Sequence, residues 1–338
     1  MQHRLLGRTG VRVSPLCLGT MMLGPWGNSD RGDSTRIIHR ALDAGINFVD
    51  TADIYSDGVS EEIVGEALRG RRDDVVLATK FFMPMGGGPN ERGGSRRWIM
   101  SEVENSLRRL KTDHIDLYQV HRPSADTDIE ETLGALSDLV HQGKVRYIGS
   151  SSFAASQIVE AQWASRERHL ERFVTEQPPY SLLVRGIEED VLPTARRHGM
   201  GILTYSPLDG GWLSGKWRAG AASAPTSAVR PGARFDMTSP ANQRKLDVVE
   251  QLARLADEAG MTLIRMALAF VLNHPAVTSA IVGPRTMGQL GSYLPAADTT
   301  LPADVLDRID RIVPPGVTIN PSDNSYGTSE LTTTQRRR

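Results

Sequence analysis

Four residues able to carry or stabilise a proton stand at the ends of three apolar segments. Asp50 closes Asn47-Phe48-Val49-Asp50, and Tyr55 follows five residues later. Lys80 closes Val75-Val76-Leu77-Ala78-Thr79-Lys80, and His121 closes Asp116-Leu117-Tyr118-Gln119-Val120-His121. A buried Lys beside an Asp keeps its charge, because the pair offsets part of the desolvation. A cation next to a phenol stabilises the phenolate, which makes a Tyr usable as an acid or base near neutral pH. A neutral His can donate a hydrogen bond to a carbonyl oxygen that is gaining negative charge. Taken singly, these residues cap, pack or face solvent in most proteins. It is the set, at successive strand ends, that points to acid–base chemistry on a carbonyl.

Positioning such a set requires strands that lie side by side. Short apolar segments alternate with amphipathic ones along the chain. Strands are predicted at Leu16–Leu18, Asn47–Asp50, Val75–Thr79, Ile115–Val120, Tyr147–Ser150, Phe173–Glu176, Gly201–Tyr205 and Ala280–Val282. Helices are predicted at Ser34–Ala44, Ser60–Leu68, Ser95–Leu110, Ile129–Gln142, Ala155–Arg168, Ile187–His198 and in a final set after residue 238. Ile37, Ile38, Ala41 and Leu42 form a stripe at helical spacing that Gly45 stops; Leu133, Leu136, Leu139 and Val140 do the same before Gly143. Eight such units predict an α/β fold of the (β/α)8 TIM-barrel type, in which strand ends converge on one mouth. His3–Leu6 and Val11–Val13 flank a Gly7–Gly10 turn and predict an N-terminal β-hairpin. The alternative, an open doubly wound sheet, usually carries a G-x-G-x-x-G loop, and none occurs here. Two long loops, Phe82–Gly94 and Trp212–Pro240, follow strands on the mouth side, where binding loops are expected.

The 338 residues are 39% hydrophobic and 23% charged, enough chain for one large barrel domain, expected over 1–315. A polar tail is expected over 316–338, ending in Arg336, Arg337 and Arg338. The net charge of −1, with both signs interspersed, argues against nucleic-acid or membrane partners. The single Cys17 excludes an internal disulfide and reads as a small core residue. No apolar run reaches the length of a membrane span, and the first residues lack a signal-peptide stretch, so a cytoplasmic protein is expected. No metal is expected, since spacings such as H-E-x-x-H are missing.

The segment Gly45-Ile-Asn-Phe-Val-Asp50-Thr-Ala-Asp-Ile-Tyr55-Ser-Asp-Gly58-Val-Ser60-Glu61 resembles the signature of the aldo-keto reductase superfamily, in particular a bacterial branch that is similar to potassium-channel β subunits. The resemblance runs from about residue 3 to about residue 313. It implies a (β/α)8 barrel with an N-terminal hairpin, and a catalytic tetrad at Asp50, Tyr55, Lys80 and His121. It also implies an NADPH/NADP+ site. Gly149-Ser150-Ser151-Ser152-Phe153 resembles the family's G-x-S-N-F, with Ser152 in place of the usual Asn; Ser151 and Gln177 match the contacts to the nicotinamide carboxamide. Tyr205 matches the aromatic stacked on the nicotinamide ring. Ser206, Pro207, Leu208 and Gly210 match the pyrophosphate segment, Lys216 and Arg218 the loop that folds over it, and Gly19, Thr20 and Met21 the loop after the first strand. Gly283, Arg285 and Gln289 match the adenosine end, where a guanidinium suits a 2′-phosphate. Asp209 would be an unfavourable charge near a pyrophosphate and is expected to face away. With Tyr55, His121 and Trp26 expected at the substrate, the resemblance implies an NADP(H)-dependent reductase of a small-molecule aldehyde or ketone, acting as a monomer or simple homo-oligomer. Phe81 and Phe82 are further candidates for an apolar substrate wall. The competing expectation, from the likeness to channel subunits, is an NADPH-binding regulatory subunit with little turnover.

Overall fold

A computed structural model describes residues 1–218 and 233–324 of the chain. The Arg-rich end and the middle of the Trp212–Pro240 loop lie outside the described residues. Strands β1 (Arg4–Leu5) and β2 (Arg12–Val13) pair antiparallel as the expected hairpin. The next eight strands are β3 (Leu16–Gly19), β4 (Phe48–Asp50), β5 (Val76–Phe81), β6 (Ile115–Val120), β7 (Val145–Ser151), β8 (Thr175–Gln177), β9 (Gly201–Thr204) and β10 (Val277–Val282). All pair in parallel in chain order, and β10 closes on β3. The fold is a (β/α)8 barrel with an N-terminal hairpin.

The outer helices are α1 (Arg31–Asp43), α2 (Val59–Ala67), α3 (Arg96–Leu110), α4 (Ile129–His141), α5 (Ala155–Glu167), α6 (Val191–His198), α7 (Pro240–Glu258), α8 (Leu263–Asn273), α9 (Met287–Tyr293) and α10 (Ala303–Ile312). Their boundaries follow local chemistry. The Asp30 side chain accepts from the Asp33 amide and starts α1 three residues before the predicted Ser34. The Ser95 side chain accepts from the Trp98 amide and starts α3. A 3-10 turn at Gly186–Glu188 occupies the beginning of the predicted sixth helix. Among the described residues no helix is long and apolar enough to cross a membrane.

Strand alternation sorts side chains into two cores. Outward residues such as Leu18, Val49, Leu77, Tyr118 and Ile148 meet the helices. Inward residues Cys17, Phe48, Ala78, Leu117, Leu203 and Ile281 fill the barrel, with Leu6 and Val13 of the hairpin closing it from below. A Cβ on Gly7 would lie 2.8 Å from the Gly201 amide and the Val174 carbonyl, so glycine lets the hairpin turn seat against the barrel floor. Cys17 is fully buried, and burial followed by the Asp50 charge pushes its thiol well up, which leaves it a packing residue.

Residues 316–324, assigned to the tail from sequence, lie against the barrel. Thr318 bridges Val184, the Arg185 amide donates to the Val317 carbonyl, and the Ile319 amide donates to the Leu183 carbonyl. Backbone pairing, which composition does not reveal, holds this segment.

Candidate active site

Above the apolar filling, the same inward positions turn polar. Asp50 ends β4, Lys80 lies one residue before the end of β5, and Gln119 sits in β6 with His121 just beyond it. Ser151 and Gln177 end β7 and β8, and Tyr205 follows β9. Side chains two apart on a strand share a face, so Leu117, Gln119 and His121 climb one wall from apolar floor to polar mouth.

Lys80 is fully buried and joins the set together. Its Nζ donates to Asp50 Oδ1 at 2.5 Å, to the Thr51 carbonyl at 2.8 Å and to Tyr55 Oη at 3.3 Å. Burial is the largest single influence on the ammonium and favours its neutral form. The charges of Asp50 and Tyr55 and their hydrogen bonds together outweigh it, and the net shift is upward. The second carboxylate oxygen, Asp50 Oδ2, accepts from Gln177 Nε2 at 2.9 Å and Gln119 Nε2 at 3.1 Å. Every side of this carboxylate therefore faces a donor, which is what a buried charge needs.

Tyr55 reaches Lys80 from the loop between β4 and α2. Ser56, Asp57 and Gly58 all take positive φ there and turn the chain sharply into the helix. The Trp26 amide donates to Ser56 Oγ at 3.2 Å, tying the loop after β3 to this turn, and the Trp26 and Tyr55 rings lie 6.4 Å apart. His121 meets the Tyr55 ring edge-on at 5.9 Å. Burial first, then the charges of Lys80 and Arg122, holds the His121 pKa well below its ordinary value. The imidazole is neutral at pH 7, and its Nδ1 is buried with no hydrogen-bond partner among the described residues. Phe81 turns outward to pack on Tyr118, with ring centroids 4.8 Å apart, which removes it from the substrate wall. Phe82 is half-buried and carries φ 128°, a strained value for a bulky residue directly after the Lys80 strand.

Several of the residues expected at a dinucleotide stand around this mouth. Gly19 is glycine because a Cβ would lie 2.6 Å from Ile281 Cγ2 across the β3–β10 seam. The Thr20 hydroxyl is taken by Ser60 Oγ at 2.9 Å. Ser151 Oγ donates to the Gln177 carbonyl at 2.9 Å, leaving its lone pairs to accept. Ser152 sits at φ 59°, and its hydroxyl lies 3.1 Å from Tyr205 Oη. Ser206, Pro207, Leu208 and the exposed Gly210 form the turn after β9, with Ser206 and Gly210 at positive φ; Lys216 is exposed beyond it. Asp209 faces away from this turn, as expected, because Lys245 and Arg234 bind it from behind. Arg218, by contrast, is spent on α7: its Nε meets Glu250 at 2.9 Å. On the adjoining strands, Asn28 Nδ2 after β3 donates to the Arg285 carbonyl after β10 at 2.9 Å, and the Gln289 side chain accepts from the Arg285 amide at 2.7 Å. The half-buried Arg285 guanidinium makes no hydrogen bond or ion pair among the described residues. A guanidinium without a partner among the described residues, oxygens able to accept and the Tyr205 ring are groups that fit an anionic, aromatic dinucleotide.

Four buried side chains were missed from sequence. Gln119 looked like one more residue of an apolar strand, though its place two positions before His121 was a signal. Glu176, on the outward face of β8, accepts from Ser150 Oγ at 2.5 Å and the Phe153 amide at 3.1 Å, and burial raises its pKa to about 8. Glu61 and Glu102, from α2 and α3, share Arg109 at 2.6 and 2.5 Å. Glu61 Oε1 also accepts from Thr79 Oγ1 at 2.5 Å, bracing the strand that carries Lys80.

The family model of the Aldo/keto reductase family matches residues 15–314, and the chain belongs to that family. It is 42% identical to the Bacillus subtilis protein named uncharacterized oxidoreductase YrpG, over 93% of this chain and 96% of that one. It is 36% identical to Bacillus subtilis aldo-keto reductase YhdN, over 93% and 94%. It is also 36% identical to a probable voltage-gated potassium channel subunit beta of Arabidopsis thaliana, over 93% and 97%. The protein is an oxidoreductase whose general chemistry is carbonyl reduction.

Proposed function

We propose that the protein reduces aldehydes or ketones with NADPH and that Tyr55 is the general acid. The observation that carries this reading is the fully buried Lys80 joined to both Asp50 and the Tyr55 hydroxyl. Asp50 keeps the ammonium charged in a dry site, and the charged ammonium stabilises the phenolate left when Tyr55 gives up its proton. The Tyr55 hydroxyl protonates the carbonyl oxygen. His121, held neutral, donates its single N–H to the same oxygen as negative charge develops there. Bound NADPH supplies the hydride to the carbonyl carbon. Trp26, beside the Tyr55 ring, forms an apolar side of the substrate opening.

The residues that would hold the cofactor are Ser151, Ser152, Gln177 and Tyr205 at the nicotinamide. Gly19, Thr20, Met21, Ser206, Pro207, Leu208, Gly210 and Lys216 would lie along its middle, with Gly283, Arg285 and Gln289 at the adenosine. Arg218 is set aside from this role because Glu250 already neutralises it. The strand-end convergence of these groups on a barrel mouth supports the assignment. A second reading, a cofactor-binding subunit of a larger assembly, draws on the 36% identity to the Arabidopsis channel subunit. The two are separated by following NADPH oxidation at 340 nm against a panel of aldehydes, ketones and sugars. Steady turnover of at least one class is expected; tight NADPH binding with no turnover of any would favour the subunit reading.

A further inference from the structure

We propose that Gln119 is a positioning residue that fixes which end of the Gln177 amide is offered to the cofactor's carboxamide, an inference that rests on the reading above. Gln119 is wholly buried inside the barrel. Its Nε2 donates to Asp50 Oδ2 at 3.1 Å, and its Oε1 accepts from Gln177 Nε2 at 3.1 Å. Gln177 Nε2 also donates to Asp50 Oδ2 at 2.9 Å. A carboxylate only accepts, so both amides must turn nitrogen toward Asp50. The two hydrogens on Gln177 Nε2 are then consumed, one by Asp50 and one by Gln119. What remains is Oε1, which takes no hydrogen bond among the described residues. Gln177 therefore presents an acceptor, and the group it suits is one that brings an N–H, such as a primary carboxamide.

Gln119 adds a second restraint to the orientation that Asp50 favours. With it in place, flipping the Gln177 amide would set carbonyl oxygen against both the Asp50 carboxylate and the Gln119 carbonyl. Without it, only one of the two inward contacts remains, and the second N–H is free to turn elsewhere. The barrel is built to admit the side chain. Gly149 on the adjacent β7 carries no Cβ, and one placed there would lie 3.2 Å from Gln119 Cγ and 2.2 Å from Thr175 Oγ1. The same arrangement leaves Asp50 Oδ1 to Lys80, so one carboxylate anchors the proton-transfer pair with one oxygen and the carboxamide contact with the other.

The test is a binding measurement that does not depend on turnover. Dissociation constants are taken by protein-fluorescence quenching for NADP+ and for its 3-acetylpyridine analogue, in which a methyl ketone replaces the carboxamide and no N–H is left to donate. The wild type should prefer NADP+ by about tenfold, the scale of one well-made hydrogen bond. Gln119→Met, similar in volume but without an amide, should shrink the preference to within about threefold. Where Gln119→Met does not fold, Gln119→Asn withdraws the amide by one methylene and should show the same loss. An undiminished preference in whichever of these two variants folds overturns the role of Gln119, as does a wild type that binds both nucleotides equally. A wild type that binds neither nucleotide removes the underlying reading as well, so the two failures are distinguishable.

Discussion

Buried ionisable groups decide what single residues do in this protein. Lys80 and Asp50 are paid for by each other, and the amides of Gln119 and Gln177 complete the carboxylate's shell. Glu176 is instead ruled by its burial, which outweighs its hydrogen bonds and the charge of Arg122. Its carboxyl is fully buried and holds its proton up to about pH 8, against 4.5 for an ordinary glutamate. Between those values the folded state keeps a proton that the unfolded chain has released, so the unfolding free energy falls as pH rises through the window. The stabilising effect is full below about 4.5 and lost above about 8. Glu176→Gln removes the titration. Relative to wild type, the variant should gain stability as pH rises from 5.5 towards about 8, by at most about 1.4 kcal/mol per pH unit, and level off above that. Urea midpoints at four pH values check this; parallel curves for the two proteins would show that Glu176 does not titrate in that range.

At the scale of elements, the segment after β9 is held from outside the mouth. Lys245 on α7 binds Asp209 Oδ2 at 2.8 Å and also pairs with Asp323, while Arg234 pairs with Asp209 and with Asp323 at 3.1 Å. The Lys245 ammonium also stands 4.9 Å over the Trp212 ring, and Trp212 stacks on Trp217 at 4.0 Å. Two cations and two carboxylates thus pin the turn after β9, α7 and the residues near 320 together. Removing one member of a buried network strands the rest, so Lys245→Met should cost about 3–5 kcal/mol in urea unfolding. The exposed Arg31–Glu62 pair provides the control: Arg31→Ala should change stability by less than about 1 kcal/mol. Equal effects from both would contradict the assignment of stability to the buried cluster.

Much of this architecture was legible because each β-α unit repeats one pattern. The helices whose stripes and caps are local, such as Ile129–His141, were read within a residue or two. Asp50, Lys80 and His121 at strand ends, with Tyr55 on the loop after the first of these strands, were legible for the same reason, since strand order puts consecutive ends together. Long-range pairings were not legible. Nothing local tells that Asp323 meets Lys245, that Arg218 is spent on Glu250, or that Gly149 makes room for Gln119. Phe81 looked equivalent to Phe82 until strand alternation sent it outward onto Tyr118.

For the molecule as a whole, the proposed NADPH would have to find partners for its pyrophosphate and its 2′-phosphate around the barrel mouth. In the proposed arrangement the nicotinamide end would meet the polar wall around Gln177 and the adenosine end the loop after β10, which Asn28 ties to the loop after β3. Among the described residues the Arg285 guanidinium there has no hydrogen bond or ion pair. Arg285→Ala should weaken NADPH binding by roughly 10- to 100-fold, while NADH affinity stays level. Fluorescence titrations of both nucleotides at fixed salt give the ratio, because part of the attraction is screened charge. An equal loss for both would make Arg285 structural and leave the 2′-phosphate to another group.

The claim on which everything else rests is proton transfer by Tyr55, and one substitution tests it most directly. Tyr55→Phe keeps the ring beside Trp26 and His121 and removes only the hydroxyl that meets Lys80. With the best aldehyde from the substrate panel, kcat should fall by at least about 10²-fold, the usual scale of general acid catalysis, while the dissociation constant for NADPH stays within about twofold. Turnover near the wild-type rate, with NADPH binding intact, would contradict the account.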